Sequence, residues 1–389
     1  METIIHIYDP KRPLLLLEYA NISDKASRQP TSSPPNVLLF VGGLYDNFRS
    51  PRYVDDLAAL FPRDVPDQTW RVMHVQLSSN GRSWGLFDLD RDVAEIAAAI
   101  TYIRDTITQS PSTPVVLMGH STGCQDLMHY LVSPLPTSFP RPTISGAILQ
   151  APVSDREAIL NAVSESSAAK VAYESLLQIA SSTPKEKHKT TILPMDIMKP
   201  LFGPVPVTVF RFLSLASPDS PESPAMDDYY SSDLSDQRLR ETFGRMGSAA
   251  HLQPSGHLGE KSILILQGAN DHSIPPSVDK ALLLSRWKAA LESTAHAALS
   301  PHSLIILHAV HDISGSSKET RRARLVDMRS AVLKYLQDVV GGIDPPSGGD
   351  GDDERRPWAI LHKDLKDIES GDNDADGEKG KSADTSPKL

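Results

Sequence analysis

The nine residues Val115-Val-Leu-Met-Gly-His-Ser-Thr-Gly123 restrict this chain more than any other stretch. Val115 to Met118 is an unbroken apolar run, the pattern of a strand buried on both faces of a parallel sheet. Gly119-His-Ser-Thr-Gly123 follows without a linker, and Cys124 to Val132 continues as a helix. Strand, G-x-S-x-G, helix is the context of a turn so tight that little room remains for a Cβ two residues before or after the serine. Such a turn strains Ser121 and lifts its Oγ clear of the sheet at a helix N-terminus. Five-residue patterns of this kind also arise by chance. The strand before it and the helix after it favour the functional reading.

Composition narrows the classes. A chain of 389 residues with 40% hydrophobic content suits one large α/β domain with additions, or two domains. A formal net charge of −10 and the lack of a basic stripe argue against a nucleic-acid partner. The single cysteine, Cys124, excludes an internal disulfide framework and fits a reducing compartment. The N-terminus has no basic segment leading into an apolar core, and no apolar run reaches the about eighteen residues of a membrane span. The expectation is a soluble, cytoplasmic protein.

Strands are expected at Thr3 to Tyr8, Leu14 to Tyr19, Val37 to Val41, Trp70 to Leu77, Thr143 to Gln150, Ser262 to Gln267 and Leu304 to Leu307. Helices are expected between them, among them Asp88 to Ile107, whose apolar residues recur with a period near 3.6. The alternation stops from Ala151 to about His257, where Ala158 to Ile179 reads as one amphipathic helix followed by a proline-punctuated run. The organisation is therefore a core in two parts, 1–150 and 258–340, with a lid or cap insertion at 151–257. The remaining stretch, 341–389, carries 13 acidic and 7 basic residues and is expected to be disordered. Trp358-Ala-Ile-Leu361 is an apolar island within it.

A serine hydroxyl needs a base and a base needs an orienting acid. Asp271 follows the strand Ser262 to Gln267, where the acid belongs in a Ser…Asp…His order. Its neighbours also suit an ordinary turn. Asp155 is the runner-up. His311 lies a few residues past the last strand, on a loop able to fold back over Ser121; His308 stands too close to the strand end. Gly42-Gly43 ends the strand Val37 to Val41 and lets backbone N–H groups approach a carbonyl oxygen closely. The oxyanion donors assigned are the N–H of Leu44, with Gly43 as the near alternative, and the N–H of Thr122. Tyr229, Tyr230 and Arg211 are candidates to line a substrate pocket, or else to pack the insertion on the core. No H-E-x-x-H, C-x-x-C or post-strand G-x-G-x-x-G is present, so no metal or organic cofactor is expected.

The run Gly119-His-Ser-Thr-Gly-Cys-Gln-Asp126 is more specific than a generic elbow. Together with Phe40-Val-Gly-Gly-Leu44, Ser231-Ser-Asp-Leu-Ser235 and Gly268-Ala-Asn-Asp271, it resembles a mainly fungal α/β-hydrolase family long catalogued as of unknown function. The characterised branch of that family cleaves fusarinine-type ester-linked hydroxamates inside the cell. The likeness covers roughly residues 1–340. It implies an α/β-hydrolase fold with a mostly parallel central sheet, a triad of Ser121, Asp271 and His311, and a small-molecule ester substrate. In that branch the substrate is a ferric siderophore, a triester of acylated hydroxyornithine units. Two other readings stand beside it: a general carboxylesterase, lipase or acyltransferase with the same triad, and a non-catalytic binding protein of the same fold.

Overall fold

The computed structural model describes residues 2–20, 35–64, 70–134, 141–254, 261–295, 297–313 and 318–340. The acidic stretch 341–389 and its apolar island lie outside the described residues. Among those described, a nine-stranded sheet runs in the order β1 (Glu2–Asp9), β2 (Leu14–Ala20), β4 (Trp70–Val75), β3 (Asn36–Val41), β5 (Val115–His120), β6 (Gly146–Gln150), β7 (Lys261–Gly268) and β8 (Ala297–Leu299). The ninth strand, β9 (Leu304–Ile306), pairs with the upper end of β7. The β1–β2 and β2–β4 pairs are antiparallel and all others are parallel.

The parallel strands read as continuous apolar runs because both of their faces are covered. Val115 and Leu117 of β5, with Val37, Leu39 and Val41 of β3, face the core shared with α2 (Leu89–Tyr102), α3 (Gly123–Val132) and α10 (Lys280–Leu291). Val116 and Met118, with Leu38 and Phe40, face the core shared with α1 (Tyr53–Asp64) and α11 (Lys318–Val340). Each fully buried side chain of this size contributes about 1.5–3 kcal/mol. Registers Val41↔Gly119 and His120↔Gln150 bring three strand ends together at one edge of the sheet.

Sequence and structure differ at two places. The helix expected over Ala158 to Ile179 is two helices, α4 (Asp155–Glu165) and α5 (Ser167–Ser182). Ser166 leaves helical geometry at φ −133°, and its hydroxyl accepts the Ala169 N–H, the local competition that makes serine a cap rather than a helix interior residue. The last edge strand is also divided. β8 and β9 pair with the two halves of β7, and the Ser303 hydroxyl accepts the Ile265 N–H at 3.0 Å across the gap.

The insertion between β6 and β7 continues with α6 (Met195–Phe202), α7 (Val209–Ala216), α8 (Asp236–Leu239) and α9 (Arg245–Ser248). It is not uniform. Its first part has an apolar cluster of its own, including Ile159, Leu176, Leu201, Phe202 and Phe212 with Trp84 of the core. Its second part, with Tyr229, Tyr230, Leu234, Phe243 and Met246, joins the main core instead. No described helix is long and apolar enough to cross a membrane.

Candidate active site

The elbow has its steric reason at both glycines. A Cβ on Gly119 would stand 2.4 Å from the Gly123 carbonyl oxygen, and one on Gly123 would stand 2.4 Å from the Val41 carbonyl oxygen. Ser121 between them has φ +54°, a left-handed conformation costing a non-glycine residue roughly 1–2 kcal/mol. Its N–H holds the turn by donating to the Gln150 carbonyl at 3.1 Å.

Ser121 Oγ lies 2.8 Å from His311 Nε2. His311 Nδ1 lies 2.9 Å from Asp271 Oδ2 and 3.1 Å from Oδ1. The two loops that carry this pair meet through Gly268, where a Cβ would stand 2.4 Å from the Ala309 carbonyl oxygen. Asn270 N–H donates to that same carbonyl at 3.0 Å. The Asp271 carboxylate is held further by Gln267 Nε2 and by the Ser273 N–H, each at 3.0 Å. Burial alone would lower the His311 pKa, but the Asp271 charge and hydrogen bond outweigh it, so the imidazole is raised above its ordinary value. Burial would raise Asp271, but His311 and the backbone bond hold its carboxyl below the usual range.

The exit of β3 packs on the elbow. A Cβ on Gly43 would stand 2.8 Å from Ser121 Cβ and 3.2 Å from the Thr122 nitrogen. The Gly43 N–H donates to Asp46 Oδ2 at 2.8 Å and is therefore not free as an oxyanion donor. The N–H groups of Leu44 and Thr122 meet no acceptor among the described residues. Tyr45, at φ +67°, donates its hydroxyl to the Phe202 carbonyl at 2.5 Å, tying this loop to the insertion.

Behind Ser121, His120 Nδ1 donates to Gln150 Oε1 at 2.5 Å, which also accepts the Tyr53 hydroxyl at 2.8 Å. The His120 and His311 ring centroids are 5.0 Å apart. Burial lowers the His120 pKa, and His311 lowers it further. His120 thus stays neutral beside the ring that must take up a proton. Sequence reasoning missed His120, Gln150, Tyr53 and Asp46; only Asp46, three residues past Gly43, carried a local turn signal.

A cleft of about 1120 Å³ opens on Ser121, Thr122, Leu44 and His311, and the insertion supplies Ala158, Ile159 and Phe202 to Val205 as one wall. Tyr229, Tyr230 and Arg211 do not line it. Tyr229 Oη bonds His129 Nδ1 at 2.8 Å, Tyr230 donates to the Cys124 carbonyl at 2.7 Å, and the buried Arg211 pairs with Asp227. Tyr229 and Tyr230 fasten the insertion to α3, and the Arg211–Asp227 pair ties two parts of the insertion to each other, so the pocket role considered for all three is set aside. Asp155 does not touch His311. It accepts from Thr122 Oγ1 at 3.4 Å and from Gln125 Nε2 at 3.2 Å, which removes it as an alternative acid. His308 is exposed, with φ +56°.

The parallel sheet, the serine turn at the end of β5 and the helical insertion after β6 define an α/β-hydrolase fold. Within it, the chain belongs to the family described as "Protein of unknown function (DUF1749)", which matches residues 3–336. It is 39% identical over 337 residues to the fusarinine C esterase sidJ of Aspergillus fumigatus, covering 80% of this chain and 91% of that protein. It is 35% identical over 370 residues to the esterase AN6793 of Emericella nidulans, covering 85% and 95%. Among solved structures it resembles the siderophore hydrolase EstB from Aspergillus fumigatus, with a TM-score of 0.73, 36% identity, and coverage of 88% of this chain and 98% of that one.

Proposed function

We propose that this protein is a serine esterase that cleaves ester bonds of fusarinine-type hydroxamate siderophores. The observation that carries the proposal is the unbroken line from Ser121 Oγ through His311 to Asp271, at 2.8 and 2.9 Å. In this reading His311 Nε2 takes the Ser121 proton as Oγ attacks the ester carbonyl. Asp271 keeps Nδ1 protonated and stabilises the imidazolium that forms. The Leu44 and Thr122 N–H groups receive the oxyanion, and loss of one such donor typically costs on the order of 100- to 1000-fold in rate. His311 then gives its proton to the leaving alkoxide, and water removes the acyl group by the same steps in reverse roles.

The relatives support the substrate class, since a fusarinine C esterase and a siderophore hydrolase align over most of this chain. The cleft supports it too. At about 1120 Å³ it has room for a bulky ferric triester, since pockets for drug-sized ligands measure roughly 300–1,000 Å³. The first part of the insertion, which walls the cleft, acts as the lid. Hydrolysis would open the triester and loosen its hold on iron, and a cytoplasmic site of action accords with the chain's single, buried thiol. The test is mass-spectrometric analysis of ferric fusarinine-type esters incubated with the purified protein. Linear and monomeric products are expected from the wild type and none from Ser121→Ala. Intact ester after incubation with a folded wild-type protein would contradict the assignment.

A further inference from the structure

Residue 46 holds the exit of β3 at both peptide planes beside Gly43. The Asp46 N–H donates to the Gly43 carbonyl at 3.1 Å, and the Asp46 carboxylate accepts the Gly43 N–H at 2.8 Å. The Gly43 carbonyl and the Leu44 N–H belong to one planar trans peptide, so fixing the carbonyl aims the N–H the opposite way. The other carboxylate oxygen accepts the Ser50 hydroxyl at 2.6 Å. The Asp46 carbonyl accepts the Gly81 N–H at 2.9 Å and Asn80 Nδ2 at 3.2 Å, which ties the turn to the loop after β4. A Cβ on Gly42 would stand 2.7 Å from Asp46 Cβ, so the aspartate packs into the space that glycine leaves.

The turn needs an acceptor here, not a charge. A neutral asparagine oxygen accepts the same N–H at a lower desolvation cost than a carboxylate. Asp46 is buried, and among the described residues no lysine or arginine lies within 4.0 Å of it; His120 Nε2 stands at 4.0 Å. Its field reaches the reaction centre. Against the burial that lowers the His311 pKa, the Asp46 charge joins that of Asp271 in raising it. His311 is faced by Asp271, Asp46, Asp312 and the His120 ring. Asp46 is faced by His120, His74 and Tyr53, while Arg49, Arg52, Arg82 and His272 line the same cleft.

We propose that Asp46 is a positioning residue of the ester hydrolysis, whose carboxylate locks the turn presenting the Leu44 N–H to the oxyanion and whose charge supports the imidazolium formed on His311. It acts through Leu44 and His311 and not on the ester itself. The inference rests on Ser121 being the esterase nucleophile.

The experiment compares the wild type with Asp46→Ala and Asp46→Asn. It reads kcat and KM for a p-nitrophenyl ester, and the inhibition constant of a trifluoromethyl ketone, whose adduct with Ser121 carries an oxyanion. Asp46→Ala frees the Gly43 N–H and loosens the turn. Its kcat should fall by roughly 10- to 100-fold, short of the loss of a whole oxyanion donor, with KM nearly unchanged. The ketone should bind more weakly by the same factor. Asp46→Asn keeps an acceptor for that N–H and should hold kcat close to wild type at high pH. Its kcat/KM should persist to lower pH, because a charge that raised His311 is gone. Unchanged kcat and ketone affinity in a folded Asp46→Ala protein would overturn the proposal. So would an Asp46→Asn protein whose kcat at high pH falls as far, or whose pH limb stays in place, and this arm decides even where Asp46→Ala fails to fold. Failure of the wild type to hydrolyse the ester strikes instead at the nucleophile reading beneath it.

Discussion

The elbow and the insertion both bury charge, but they do so in opposite ways. At the elbow one imidazole faces one carboxylate, and every polar atom that His311 and Asp271 present to each other is used. Under the insertion the Arg211 guanidinium sits in the field of Asp227, Asp92, Asp126 and Asp155, and Asp227 Oδ2 and Asp126 Oδ1 have no hydrogen-bond partner among the described residues. Burial and the neighbouring carboxylates raise Asp92 to about 7 and push Asp126 well up. The first arrangement is poised to move a proton along a line. The second holds an insertion in place and tolerates protonated acids in doing so. Buried charge alone therefore does not mark a reaction centre; a base within hydrogen-bond reach of a nucleophile does.

Substitutions can break that contrast. Asp271→Asn should lower esterase kcat/KM by roughly 10⁴-fold, because the wrong imidazole tautomer would face Ser121, while the melting temperature stays close to wild type. Arg211→Met should do the reverse, destabilising the fold by about 3–5 kcal/mol in denaturant titration, since it leaves buried Asp227 unpaired. Gly123→Ala should cost about 3 kcal/mol, because its Cβ would overlap the Val41 carbonyl. A milder effect is expected in pH. His311 acts as a base only when neutral, and Asp271 raises its pKa, so kcat/KM should fall as pH drops through a value above the ordinary 6.5. In Asp271→Asn burial would dominate and that limb should move to lower pH. Smallest is Tyr229→Phe, which removes one bond to His129. It should cost about 1 kcal/mol of stability and leave esterase kcat/KM and substrate preference untouched. A change in substrate preference there would return Tyr229 to the cleft.

The same contrast explains what the sequence made legible. The elbow is dictated by neighbours in the chain: Gly119 and Gly123 have no space for a side chain, so the motif and its geometry are one fact. Periodicity likewise carried β3, β5 and β7, which are apolar on both faces. Asp271 and His311 were approachable because each lies a few residues past a strand. The insertion is different. Arginine and paired tyrosines suit a pocket or a packing face equally, and only the tertiary contacts of Arg211 with Asp227 and of Tyr230 with Cys124 decide between them. The sequence put the Leu44 N–H first with Gly43 as the near alternative, and Asp46, which accepts the Gly43 N–H, removes that alternative. β8 is three residues of Ala297-Ala-Leu, too short for any alternation to register.

The central claim is that His311 activates Ser121. Labelling of the wild type and of Ser121→Ala with a fluorophosphonate probe, read by intact mass, tests it most directly. One adduct on the wild type and none on the variant is the expected result. Equal labelling of both proteins, or an unlabelled but folded wild type, would contradict it.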